Sequence, residues 1–502
     1  MDGDDFALTR KFYADIWASL GGDDSWVDLV EFTDVASIKS VFGCTDLAAA
    51  AFAACGAAVA ELVATVGPAP ASVRVSRTMA SEWFRLPPIP PSRPIDPPPG
   101  FAEPIAATSE HASVLAGVSG SAPSVWANVY PTADDRWIYL RGGGDKVLKA
   151  LGVEEDYDQV SAVIRSGNAD EIEQAVVDVG GIVAANHTVD EWLAHPQGQA
   201  VSAEPLVDVK ITESVANTWQ PTPGRPLAGI RVLDLTRVLA GPLGTRFLAA
   251  CGAEVLRLDA PDSQETQHTR MLGDIVLGKR WAFLDLRTRP GRDQFLQLLS
   301  EADVLVHGYR PGGIDSLVDP SARAEARPGL VEVALDAYGW TGPWKMRRGY
   351  DTTTQWSTGI CDATTAWALE DPERRVPSNA IGKLVDASRP RHAPVEALDF
   401  GTAYQIAAAA IRGLTRRVQT GEGSLSRLSL ARTAALLISG GRVPEGPYIQ
   451  IPLDGPLEDR IYTVNGKPTR RLRWPVDIAG NPLFWEHQGD KAGASTPTWS
   501  TI

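Results

Sequence analysis

A parallel, doubly wound α/β domain with a smaller α+β domain ahead of it is the architecture that the 502-residue sequence predicts. Three observations carry it. From Gly229 onward, short apolar strands alternate with amphipathic helices at βα spacing. Across 106–219, possible strands and helical stretches mix without that regularity. Two linkers, 84–105 and 220–228, mark the joins, the first so rich in proline that it predicts an extended tether.

In order, residues 1–83 form an N-terminal segment holding an Ala-rich helix, "CTDLAAAAFAACGAAVAELVATVGP", headed by Asp46. The 106–219 stretch offers strands "SVWANVYPT" and "RWIYLRG" with helices "DKVLKALG", "ADEIEQAVVDV" and "VDEWLAHPQGQ". The large domain, 229–440, reads strand 229–235, helix "GPLGTRFLAACG", strand 253–259, strand 280–286, helix "GRDQFLQLLSEA", strand 303–309 and strand 330–339. Ligands of such sheets bind at the carboxyl ends of strands, here "TRVLAGP", "DAP", "GYRPGG" and "YGWTGP". Residues 441–502, rich in Pro, Gly and Trp, predict a tail that wraps over other structure or a partner chain.

Bulk composition narrows the class. Hydrophobic residues make up 44% and charged residues 22%, the balance of an ordinary globular chain. With 47 basic against 62 acidic residues the net charge is −15, which argues against nucleic-acid binding. No apolar run is long enough to predict a membrane span, and the acidic start lacks a signal-peptide pattern. Four scattered cysteines predict reduced thiols and a cytoplasmic protein, and the seven histidines show no metal-ligand spacing.

"LDFGTAYQIAAAAIRGLTRRVQTGEG", headed by Asp399, repeats the Asp46 helix; the same ungapped offset lays Arg74 on Arg427 and Ser76 on Ser429. This predicts a duplicated helix–strand unit. Asp399 reads as a helix N-cap or as a carboxylate nucleophile whose Gly-containing first turn admits a ligand. Arg237, in "TRVLAGP", reads as an exposed turn residue or as part of an anion-binding loop. Arg257, Lys279 and Arg280 stand near strand ends, and Tyr350 with Asp351 reads as a helix start. Neither GxGxxG nor GxxxxGK[ST] occurs.

Five ordered motifs then become specific: "LAGIRVLDLTRVLAGPLGTRFLAACGAEVLRLDAP", "GKRWAFLDLRTRPGRDQFLQLLSEADVLVHGYRPGGI", "GWTGP", "GYDTTTQWSTG" and the Asp399 helix. Together they resemble the family III CoA-transferases over roughly 227–435. The resemblance implies a Rossmann-like large domain, an interlocked homodimer, and coenzyme A thioester as substrate with no tightly bound cofactor or metal. It implies that Asp399 attacks an acyl-CoA thioester, that an aspartyl anhydride and an aspartyl-CoA thioester follow, and that a carboxylic acid accepts the CoA. Arg237, Val238 and Ala240 match its CoA loop. Arg257, Lys279, Arg280, Tyr309 and Arg310 stand near further CoA contacts, and Tyr350 with Asp351 matches a Tyr-acidic pair lining the acyl site.

The departures matter too. His307, Gly308 and Tyr309 replace a usual Glu-Asn-Phe. Tyr350 stands where racemase relatives carry a histidine, which disfavours racemisation. The "RGGGDK" turn at 141–146 does not match the family's glycine-rich covering loop. The small-domain segment precedes the large domain, as if the back of one unit were fused ahead of the front of another. The expected activity is acyl-CoA:carboxylate CoA transfer through Asp399, with Asp46 as a cap. A racemase, isomerase or thioester hydrolase, or a silent acyl-CoA binder, are the alternatives.

Overall fold

The computed structural model describes residues 6–35, 38–85, 92–94, 125–263, 272–371, 374, 389–444, 456–464 and 467–500. Most of the 84–105 linker and the start of the predicted small domain, 106–124, lie outside them. The fold is mixed α/β, built around a large, mostly parallel sheet.

Strands are numbered along the chain: β1 (Val30–Thr33), β2 (Val73–Ser76), β3 (Ser92–Pro94), β4 (Asn128–Pro131), β5 (Trp137–Gly142), β6 (Ile182–Ala185), β7 (Asp208–Ser214), β8 (Arg231–Leu235), β9 (Glu254–Asp259), β10 (Lys279–Phe283), β11 (Val304–His307), β12 (Val331–Asp336), β13 (Glu422–Ser429), β14 (Leu457–Val464), β15 (Lys467–Leu472) and β16 (Val476–Ile478). The large sheet has the order β10-β9-β8-β11-β12-β13-β7 and is parallel except for β7. Its central strands are buried on both faces, so they read as continuous apolar runs. Strand order reverses between β8 and β11, which opens a crevice at their carboxyl ends.

β7 corrects the sequence-based boundary. Asp208–Ser214 falls in the segment assigned to the small domain, yet it closes the large sheet antiparallel to β13. Its charged, mostly exposed sequence is that of an edge strand. The small domain proper is β4-β5-β6, with three helices from Asp145 to Asp178 around its own core.

The tail rejoins its own chain. β15 pairs with β3 from the Pro-rich linker, on an edge where proline needs no partner, and β16 adds to β2.

The repeat is structural. In the first unit β2 lies between parallel β1 and antiparallel β16; in the second, β13 lies between parallel β12 and antiparallel β7. Thr33 pairs with Ser76 and Asp336 with Ser429. Ser76 and Ser429 then cap the helices that follow, accepting the amides of Met79 at 3.1 Å and Arg432 at 3.2 Å.

The two Ala-rich helices, Cys44–Ala64 and Ala397–Thr420, pack parallel and nearly in register. Phe52 lies on Tyr404 with ring centroids 3.9 Å apart, the Cys55 thiol donates to the Tyr404 carbonyl at 3.0 Å, and Glu61 pairs with Arg412. Alanine-rich faces allow this approach, and Cys44–Ala64, though apolar enough to cross a membrane, is buried here as a core helix.

Candidate functional site

Both repeat aspartates are the third residue of their helix, not its cap; the caps are Gly43 and Glu396, neither with a capping side chain. This corrects the N-cap expectation for Asp46 and Asp399 alike. The orphan amides ahead of Asp399 are satisfied from another element. Asp351, opening the Asp351–Ser357 helix, accepts from the amides of Leu398 at 2.8 Å and Asp399 at 2.9 Å through one oxygen. Its other oxygen accepts from Gln355 at 2.5 Å, and the Gln355 carbonyl accepts the Ala393 amide at 2.8 Å. The segment leading into the Asp399 helix is therefore held from both ends.

The two aspartates differ in electrostatics. Asp46 is 2.7 Å from the Arg77 guanidinium and accepts from the Thr9 hydroxyl at 2.5 Å. Under the repeat offset, Arg77 corresponds to Leu430, buried at the start of the Leu430–Ser439 helix. Asp399 is only 7% exposed, and no hydrogen bond or ion pair reaches its carboxylate among the described residues. Burial, then the carboxyls of Asp351 and Glu396, hold it well above the ordinary carboxylate range. Burial also pushes Asp351 up to about 7, with Glu396 adding to the rise. Glu396 itself is pushed up to about 7 by burial, opposed by Arg141 of β5. Neither Glu396 nor Arg141 was singled out as a site residue from sequence. The signal for Glu396 was available: "EALD" puts two acids one helical turn apart.

Gly401, expected to admit a ligand to the first turn, faces the other helix: a Cβ there would meet Leu47 at 3.0 Å. It serves helix packing.

The predicted CoA loop follows β8. Val238 has φ +66, an outlier for a β-branched residue of the kind that collects at functional loops. A Cβ at Gly241 would lie 2.3 Å from Thr236, so only glycine lets the turn close. Ala240 begins the Ala240–Ala250 helix, whose cap, Leu239, supplies no side-chain acceptor. Its first amides are thus available to an anion. Arg237 is exposed beside the loop. Arg237 and Asp259 both act on the Tyr309 phenol, whose pKa is raised mainly by burial, so the ends of β8, β9 and β11 converge.

Other predicted contacts are occupied. Lys279 is wholly buried, and its three protons go to Asp234 at 2.8 Å, Pro242 at 2.6 Å and Thr245 at 2.7 Å. It anchors the loop and is corrected from ligand contact to support. Asp234, buried in "RVLDL", takes the other side of that anchor, accepting also from Thr236 at 2.5 Å. Arg280 donates to Glu254 at 3.1 Å and to the tail carbonyl of Thr498 at 2.6 Å, so it holds the tail. Arg257 is buried over the Trp281 ring, its centroid 4.6 Å away; its Nε donates to Asp259 at 2.9 Å, while among the described residues neither terminal nitrogen has a hydrogen-bond partner. Arg310 is exposed and donates to the Met346 carbonyl at 3.0 Å. Tyr350 is half-buried, directly before Asp351.

Residues 227–443 match the family described as CoA-transferase family III. The chain is similar to the acetyl-coenzyme A transferase nodX of Hypoxylon pulicicidum, 32% identical over 285 residues, covering 49% of this chain and 46% of the relative. It is 26% identical over 309 residues to the formyl-CoA:oxalate CoA-transferase of Streptomyces coelicolor, covering 55% and 70%. The solved structure of Rv3272 from Mycobacterium tuberculosis is 29% identical, covers 43% and 57%, and superposes with a TM-score of 0.36. The chain spans about half the length of the first curated relatives it matches. Residues 227–443 thus carry a region that matches the family III CoA-transferases, and the relatives it resembles are enzymes of that class.

Proposed function

We propose that the protein transfers CoA from an acyl-CoA to a carboxylic acid, with Asp399 as the nucleophile. The observation that carries this is the contrast between the two repeat aspartates: Asp46 is neutralised by Arg77, whereas in the Asp399 unit the position corresponding to Arg77 is the buried, uncharged Leu430. A buried, unpaired carboxylate is poorly solvated and so more reactive once ionised. Asp351, Gln355 and the helix start fix its direction.

An Asp399 oxygen attacks the thioester carbon; the C–S bond breaks and CoA leaves as thiolate, giving a mixed anhydride. The thiolate then attacks the aspartyl carbonyl, releasing the donor acid and forming an aspartyl-CoA thioester. An acceptor carboxylate repeats the two steps in reverse order, and Asp399 is regenerated with no net gain or loss of protons. Arg237, the Val238 turn and the Ala240 amides would hold CoA phosphates at the Rossmann-like crevice of the large sheet. The oxalate and malate CoA-transferases among the relatives suggest small acids as acceptors. An interlocked homodimer belongs to the same proposal. Light scattering of the purified chain distinguishes it from a single copy.

Peptide mass spectrometry after incubation with short acyl-CoAs and hydroxylamine tests the chemistry. An acyl or CoA adduct on the Asp399 peptide, lost in Asp399→Ala and retained in Asp46→Ala, is the expected result. CoA binding without any adduct would refute it.

A further inference from the structure

Arg141 is the last residue but one of β5 in the small domain and lies beside Tyr350. Its guanidinium carbon lies 5.1 Å from the centroid of the Tyr350 ring. Among the described residues none of its nitrogens makes a hydrogen bond or an ion pair, and it is only partly exposed. Its charge nevertheless reaches the buried Glu396 carboxyl and the Tyr139 phenol, opposing the rise that burial imposes on each.

Stacking on Tyr350 accounts for the position of the planar group but leaves its five N–H donors unused. Those donors form a fork that matches a carboxylate bidentately. No carboxylate of the described residues fills it, although its charge reaches Glu396 and the Tyr350 ring beneath it directly precedes Asp351. The CoA-phosphate candidates, in contrast, lie on the large domain at the ends of β8 and β11. An acid brought to the acylated Asp399 would still meet the Asp351 and Glu396 carboxyls, and a cation would favour its approach. Arg141 stands where that cation is needed.

We infer that Arg141 receives the carboxylate of the acceptor acid, above the Tyr350 ring and on the small-domain side of Asp399, and so sets acceptor affinity. This rests on the transferase reading. The acceptor oxygen then lies next to the aspartyl-CoA carbonyl that it attacks, and Arg141 acts as a binding and positioning residue that takes no proton.

The test uses the full chain, acetyl-CoA as donor and succinate as acceptor probe, in wild type, Arg141→Gln and Arg141→Lys. Expected in Arg141→Gln are an acceptor KM and a succinate Kd, by titration calorimetry on CoA-saturated protein, each raised about tenfold or more. The donor KM should move by less than about twofold, with Arg141→Lys in between. Unchanged thermal melting identifies the loss as one of binding. An unchanged acceptor KM and succinate Kd, or a rise in donor KM alone, overturns the inference. If wild type forms no acyl-Asp399 yet binds succinate in an Arg141-dependent way, the transferase reading fails and the carboxylate site stands. If acyl-Asp399 forms while succinate binding ignores Arg141, the inference fails and the transferase reading stands.

Discussion

The Asp399 amide donates to the Asp351 carboxylate at 2.9 Å, so one acid caps the helix turn that presents the other. Asp351→Asn keeps the shape but offers a single acceptor oxygen for three donors, leaving one bond of the set unmade, a cost of about 1–3 kcal/mol. Acyl-Asp399 trapped by hydroxylamine should form at least about tenfold more slowly, through lost orientation. A melting temperature lowered with no change in trapping rate would show that Asp351 matters to folding alone.

The pH dependence follows from the same cluster. Asp399 must be ionised to attack, and its pKa is raised by burial, Asp351 and Glu396. The ionised fraction, and the single-turnover trapping rate, should therefore rise with pH above the ordinary carboxylate range. Glu396→Gln removes one of the charges that raise it, so the rising limb should shift toward acid pH. A limb in the same place in wild type and Glu396→Gln would refute the electrostatic account.

Asp46 and Arg77 form a buried pair, and breaking such a pair from one side strands a charge. Arg77→Leu should cost about 3–5 kcal/mol, and adding Asp46→Asn should restore part of it. Chemical denaturation measures both. Neither variant should acquire an acyl adduct at position 46, because among the described residues between β1 and the Cys44–Ala64 helix no helix stands in the place of Asp351–Ser357.

Lys279 and Arg237 separate support from contact. Lys279→Met leaves Asp234 buried without its counter-ion and should lower stability by about 3–5 kcal/mol, weakening CoA binding only as the loop loosens. Arg237→Ala, at an exposed position, should leave the melting temperature unchanged and weaken CoA binding about tenfold. Calorimetry and thermal melts on both variants check the pair; equal loss of stability would mean Arg237 is structural.

Local pattern was enough for much of this. β8, β9, β11 and β12 fall inside the predicted strands because each is a short apolar run between turn residues. β7 was misplaced because an exposed edge strand has no apolar signature, and its partner β13 lies some two hundred residues on. Asp399 was legible as a helix-start acid, but whether it caps depends on one residue of register and on Asp351, a neighbour only in space.

By itself the sequence determined the alternating βα order, the repeat and the motif set, since periodicity and turn chemistry are written in adjacent residues. Only the tertiary structure decided which aspartate is neutralised, that Lys279 and Arg280 are spent on the protein, and that Arg141 stacks on Tyr350 with no carboxylate partner among the described residues. Charge pairing depends on distances of a few ångströms between residues far apart in the chain, and those distances exist only once the two units and the small domain have packed.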